Sequence, residues 1–160
     1  MKPTLAEAPG SGKATRPMDL ALEEAEAARD LGEVPIGAVI VAADGDVLAR
    51  AGNRTLTLRD PTAHAELLAI RAACAKLGSQ RLTGCDLYAT LEPCAMCAAA
   101  ISFTRIRRLY FGAADPKGGA VEHGPRLFGE ATCHHAPEII GGIGEARAAA
   151  LLKDFFAARR

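Results

Sequence analysis

The chain has 160 residues, enough for one compact domain and short for two. Apolar residues make up 49% of it, but Trp is absent and aromatics reach only 4%, so the core must be built from Ala, Leu, Ile and Val. Nineteen Lys and Arg balance nineteen Asp and Glu, which excludes a global attraction to nucleic acid or to an acidic membrane; any RNA binding would need a local patch.

Residues 1–17 are rich in Pro, Gly, Ala and Thr and show no hydrophobic period. They read as a disordered N-terminal extension, leaving 18–160 as the folded domain. They lack the apolar run of a signal peptide, and no other stretch is long and apolar enough to span a bilayer. The expectation is a cytoplasmic protein with no membrane contact. Asp19 to Leu31 fits a helix, with Gly32 as its stop. Ile36 to Ala42 is a continuous apolar run, as in a strand buried on both faces. Asp44-Gly45 is a hairpin signal, and Val47 to Ala51 returns antiparallel. Asp60-Pro61-Thr62 opens a second helix over Ala63 to Leu77, ended by Gly78. Asp86 to Leu91 reads as a strand, and Pro93 as the start of a third helix reaching about Ser102. Arg107 to Gly112 is a further strand. Residues 119–137 carry no readable pattern. Glu138 to Gly141 is a last strand, and Glu145 to Arg160 a helix with Ala148, Leu151, Leu152, Phe155 and Phe156 on one face. This order predicts an α/β protein, a three-layer α/β/α sandwich on a five-stranded mixed sheet.

Two short segments carry chemistry: His64-Ala65-Glu66 and Pro93-Cys94-Ala95-Met96-Cys97. Each falls at an expected helix start. A C-x-x-C there puts two sulfurs within reach of one ion, and the positive end of the helix favours thiolates. Five cysteines, two of them so spaced, fit metal or reduced thiols better than a disulfide framework. With one imidazole the set is His64, Cys94 and Cys97. Three protein ligands leave the fourth tetrahedral position open to water, the pattern of a catalytic zinc. Glu66 does not share a helix face with His64. It is expected to reach that open position from the side and to move protons. A redox dithiol would leave His64 and Glu66 unexplained, and a structural finger needs a fourth ligand.

H-x-E followed by P-C-x-x-C is the signature of zinc nucleobase deaminases. Arg59-Asp60-Pro61-Thr62-Ala63-His64-Ala65-Glu66 and Thr90-Leu91-Glu92-Pro93-Cys94-Ala95-Met96-Cys97 resemble the bacterial tRNA-specific adenosine deaminases. So do Glu33-Val34-Pro35-Ile36-Gly37-Ala38-Val39, Gly52-Asn53-Arg54, Asp115-Pro116-Lys117-Gly118-Gly119 and Asp154-Phe155-Phe156. The resemblance covers nearly everything from Met18 to Arg160. It implies a cytidine deaminase-like fold, one zinc ion per chain and a homodimer whose sites draw on both copies. It implies conversion of adenosine to inosine at the wobble position of a tRNA anticodon stem-loop, usually of an arginine tRNA. By position it assigns His64, Cys94 and Cys97 to zinc and Glu66 to proton transfer. Asn53 and Ala65 fall to the substrate, and Asp115 and Lys117 to RNA near the flipped base. Ala114 stands where many relatives have Arg, which weakens the basic character of that loop.

The residues alone leave other readings open. Asn53 is also an ordinary turn residue, and Asp115 and Lys117 are also ordinary loop charges. Arg105, Arg107 and Arg108 form either a solvated face or a path for an anticodon stem. Lys153, Arg159 and Arg160 suit the negative end of the last helix regardless of RNA. Cys133-His134-His135 lacks a fourth ligand for a second metal site. Cys74 is expected in the core. The same chemistry could serve a free base such as guanine or cytosine, and a non-catalytic zinc-stabilised RNA-binding subunit would have no need of Glu66.

Overall fold

The computed structural model describes residues 16–160. The expected N-terminal extension lies outside the described residues except for Arg16 and Pro17, which begin the first helix. The elements are α1 (Arg16–Asp30), β1 (Gly37–Val41), β2 (Val47–Gly52), α2 (Ala65–Leu77), β3 (Asp86–Leu91), α3 (Ala95–Thr104), β4 (Arg108–Ala113), β5 (Glu138–Ile140) and α4 (Glu145–Ala157). A short 3-10 turn, Leu127–Gly129, falls inside the stretch that sequence left unread. The sheet order is β2-β1-β3-β4-β5. β1 runs antiparallel to β2 and β3, while β3, β4 and β5 are parallel, so the sheet is mixed as expected.

The apolar run of β1 is explained by two faces being covered. Ala38 and Ile40 pack with Ala65, Ala69, Ile70 and Ala73 of α2 and Ile101 of α3. Val39 and Val41 pack with Met18, Ala21, Leu22 and Ala25 of α1 and Ala148 and Leu151 of α4. Small residues let the layers approach closely. A Cβ on Gly37 would overlap the Ala21 carbonyl oxygen and lie 2.7 Å from the Ala25 nitrogen. Backbone cannot yield as a flexible side chain can. Gly37→Ala is therefore expected to destabilise the fold by about 3 kcal/mol, read as a lower urea midpoint at unchanged slope.

Both helices that carry the chemistry start later than the sequence pattern indicates. Thr62 N–H bonds the Asp60 carboxylate at 2.9 Å and Ala63 N–H the Asp60 carbonyl at 3.0 Å, so the chain turns once before α2 begins. Pro93 is not the first helical residue either; it precedes Cys94, which caps α3. Helix α3 continues past Ser102 to Thr104 and ends on Arg105 in the left-handed conformation, at φ 64°. No helix among the described residues is long and apolar enough to cross a membrane.

Candidate metal centre and active site

His64 and Cys94 occupy the same position on their helices. Each is the N-cap, with extended backbone, and neither side chain caps its own helix. Both are thereby free to turn toward each other. Cys97 lies one turn into α3 and is fully buried. The Nδ1 of His64 is 3.6 Å from the Cys94 sulfur and 3.7 Å from the Cys97 sulfur. This is the one group of three such donors among the described residues, with all three atoms within 4.8 Å of one another. The Cys94 thiol is lowered to about 4, chiefly by its hydrogen bond with Cys97 and then by His64, against the effect of burial. The same hydrogen bond, with burial, pushes Cys97 up. His64 is raised by the Cys94 sulfur despite desolvation.

Glu66 is the second residue of α2 and is 4% exposed. Burial pushes its carboxyl up to about 7, its own backbone N–H pulls it down, and the Cys94 charge pushes it further up. A group titrating there can both accept and return a proton near neutral pH. Ala65 is fully buried at the first position of α2, where a helix leaves its N–H without an intrahelical partner.

The Arg54 N–H bonds the Ala63 carbonyl at 2.9 Å, which lays Asn53 alongside His64. Asn53 is 5% exposed, and its Nδ2 faces the Glu33 carboxylate at 3.4 Å. Because a carboxylate only accepts, the amide nitrogen is turned toward Glu33 and its oxygen is left for another partner. Glu33 also accepts from Leu56 N–H at 3.2 Å and from Thr57 N–H and Oγ1–H at 2.6 Å each. Burial would raise its pKa, but the bonds from Thr57 and Leu56 and the Arg54 charge hold it below the usual carboxylate value.

On the other flank, β4 pairs with β3 through Leu91 and Ala113, so the loop after β4 emerges beside Cys94. Asp115 and Lys117 sit on that loop. They line a cleft of about 530 Å³ with Val34, Leu91, Leu152 and Phe156. Asp115 also shapes its own turn, accepting Lys117 N–H at 3.2 Å and Gly118 N–H at 2.9 Å. Two residues missed in the sequence, Glu33 and Glu92, are buried carboxylates that organise the loops on either flank. Each precedes a proline closely, but that spacing alone does not mark burial.

The remaining candidates are placed elsewhere. Arg107 makes a forked pair with Asp86 at 2.9 and 3.0 Å, and Arg108 bonds Glu138 at 2.8 Å. Arg105 donates to the His134 carbonyl at 2.9 Å. Arg107 and Arg108 lie by the start of β3, whereas Cys94 follows its end, and their charges are paired. Cys133 and His135 dock their loop on α3 instead of gathering a metal: the sulfur contacts Ser102, and His135 Nε2 donates to the Ile106 carbonyl at 2.8 Å. Cys74 is half-buried against the core, and Cys85 is buried within it. Arg159 lies over the Phe155 ring at 3.5 Å.

Comparison with known proteins agrees with this arrangement. Residues 12–113 match the family model described as the cytidine and deoxycytidylate deaminase zinc-binding region. The chain is 62% identical over 143 residues to the tRNA-specific adenosine deaminase of Agrobacterium fabrum, covering 89% of this chain and 93% of that one. It is 45% identical over 139 residues to the tRNA-specific adenosine deaminase of Bacillus subtilis, covering 87% and 86%. Among solved structures, one from studies of A-to-I editing by tRNA:A34 deaminases superposes with a TM-score of 0.85 at 62% identity, covering 86% and 99%. A guanine deaminase from Nitrosomonas europaea superposes at 0.77 with 25% identity, covering 89% and 84%. With the fold, the converging donors and full-length likeness in agreement, the chain belongs to the bacterial tRNA-specific adenosine deaminases of the cytidine and deoxycytidylate deaminase family.

Proposed function

We propose that the chain is a zinc-dependent hydrolase that converts adenosine to inosine at the wobble position of a tRNA anticodon. The observation that carries this is the meeting of one imidazole and two thiols at two helix starts, with a buried carboxylate beside them. His64, Cys94 and Cys97 would hold one zinc ion per chain. Tetrahedral zinc, with bonds of about 2.0–2.1 Å to nitrogen and about 2.3 Å to sulfur, needs those atoms about 3.6 Å apart. The separations of 3.6 and 3.7 Å fit that requirement. When bound, the ion supplies Lewis acidity, which brings the pKa of a water from ~15.7 toward about 7.

The chain's own residues do the rest. Glu66 takes a proton from the attacking water and gives it to N1 of the adenine as oxygen joins C6. It then carries the second proton to the amino nitrogen as the C6–N6 bond breaks, so water and adenosine become inosine and ammonia. The Asn53 amide, turned by Glu33, offers its oxygen to the purine. Ala65 offers a backbone N–H at the start of α2. Asp115 and Lys117 meet the RNA beside the flipped base. An unpaired anticodon loop suits this site, because no base pair has to be broken to reach the adenosine.

An arginine tRNA, a homodimer and a cytoplasmic location are the finer parts of the reading, and they follow the family resemblance. Leu56 and Leu58, on the loop before His64, and Phe103 on α3 are 72%, 52% and 65% exposed, which supports cover by a second copy. The test is to incubate the purified protein with total tRNA and read inosine by reverse transcription. Inosine at the wobble position of an arginine tRNA is expected. Ammonia from free guanine or cytosine, with no inosine in any tRNA, would move the substrate to a free base.

A further inference from the structure

The loop after β4 is wrapped around a single buried carboxylate. Glu92 lies between β3 and Cys94, and its side chain is 0% exposed. Its Oε1 accepts from Asp115 N–H at 2.9 Å and from His123 Nδ1 at 2.8 Å. Its Oε2 accepts from three consecutive backbone N–H groups, those of Val121, Glu122 and His123, at 3.1, 2.9 and 3.1 Å. This is a backbone anion nest closed on a side chain of the same protein. Every partner is a donor, so Glu92 is a carboxylate and His123 carries its proton on Nδ1. The wrapping is tight: a Cβ on Gly119 would lie 2.5 Å from the Glu92 carboxyl carbon. Ala120 N–H to the Pro93 carbonyl, 2.9 Å, and Glu92 N–H to the Ala113 carbonyl, 2.8 Å, close the unit.

Only Pro93 separates Glu92 from Cys94, and one hydrogen bond separates its carboxylate from Asp115. We propose that Glu92, clamped by His123, is a positioning residue: it fixes the Asp115–Lys117 loop relative to the His64, Cys94 and Cys97 cluster, so that RNA flanking the reacting base is held in register with it. The inference rests on the activity proposed above. His123 is the part that can be changed without opening the core, since its side chain is 35% exposed and its ring nitrogen is one of five donors to Glu92.

The experiment compares His123→Ala and His123→Asn with the unaltered full chain, because the Asn amide N–H can stand in for Nδ1–H. Zinc per chain, amide hydrogen exchange over 113–123, and KM and kcat on an anticodon stem-loop RNA are measured. His123→Ala is expected to keep its zinc, to exchange the 121–123 amides about tenfold faster, and to raise KM about tenfold with kcat within about twofold. His123→Asn is expected to restore protection and KM together. Unchanged exchange or unchanged KM in His123→Ala would overturn the proposal, as would activity lost in step with zinc. If the unaltered chain makes no inosine, the activity reading fails instead, and unchanged exchange in His123→Ala would still reject the anchor.

Discussion

Glu66→Gln is expected to lower the rate of inosine formation by about 10⁴-fold, at the upper end of what general acid–base catalysis contributes, because one carboxylate serves every proton transfer in the cycle. The substitution keeps the size of the side chain and removes its ability to accept and return a proton. Glu66 is buried on the second residue of α2, and its carboxyl is met by its own backbone N–H. A neutral amide in that place costs the fold nothing through a lost ion pair. Zinc content, RNA affinity and melting temperature should therefore stay near those of the unaltered chain while turnover disappears. Single-turnover kinetics on an anticodon stem-loop separates the two effects. A Glu66→Gln protein with a near-normal single-turnover rate would remove Glu66 from the chemistry.

Cys94→Ser should fail differently, losing the metal first and activity as a consequence. Cys94 is the sulfur lowered to about 4, and an alcohol oxygen in its place remains protonated and is a poor ligand. The three donors lie at the starts of two different helices, so an ion bridging them also ties α2 to α3. Binding that saturates the site a thousandfold contributes about 4 kcal/mol, or roughly 10 °C in melting temperature for a chain of this size. Metal analysis should find little zinc in Cys94→Ser, and chelation of the unaltered protein should reproduce its melting shift. Full zinc occupancy in Cys94→Ser would place the metal elsewhere.

The two substitutions together separate chemistry from architecture, and the sequence already pointed to both. That His64, Cys94 and Cys97 come together was legible because their residue types and spacing are restricted by what a metal needs. β3 was legible to the residue, Asp86 to Leu91, because Leu87, Tyr88, Ala89 and Leu91 fall in the short span between Gly84 and Pro93. The starts of α2 and α3 were placed early because His64 and Cys94 look helical in pattern but take the extended backbone of an N-cap. The end of α3 was missed because Arg105, not a glycine, adopts the left-handed turn.

Residues 119–137 were not legible for a deeper reason. What organises the first part of that stretch is a distant carboxylate, Glu92, and its partners are mostly backbone N–H groups that any residue but proline supplies. Glu33 is the same case, holding Leu56 and Thr57 through their backbones. Such long-range anchors leave no period and no composition to read. The basic run Arg105-Ile106-Arg107-Arg108 invited an electrostatic role, and the fold pairs two of its charges with Asp86 and Glu138 at the far end of β3.

X-ray absorption at the zinc edge of the purified, metal-loaded protein tests the heart of this account, a metal held by an imidazole and two thiolates with its remaining position left to solvent and substrate. One zinc per chain, with two sulfurs and one imidazole among its donors and no further donor from the chain, is the predicted result. A third sulfur, a carboxylate from the chain completing the set, or a folded protein that takes up no zinc would contradict it.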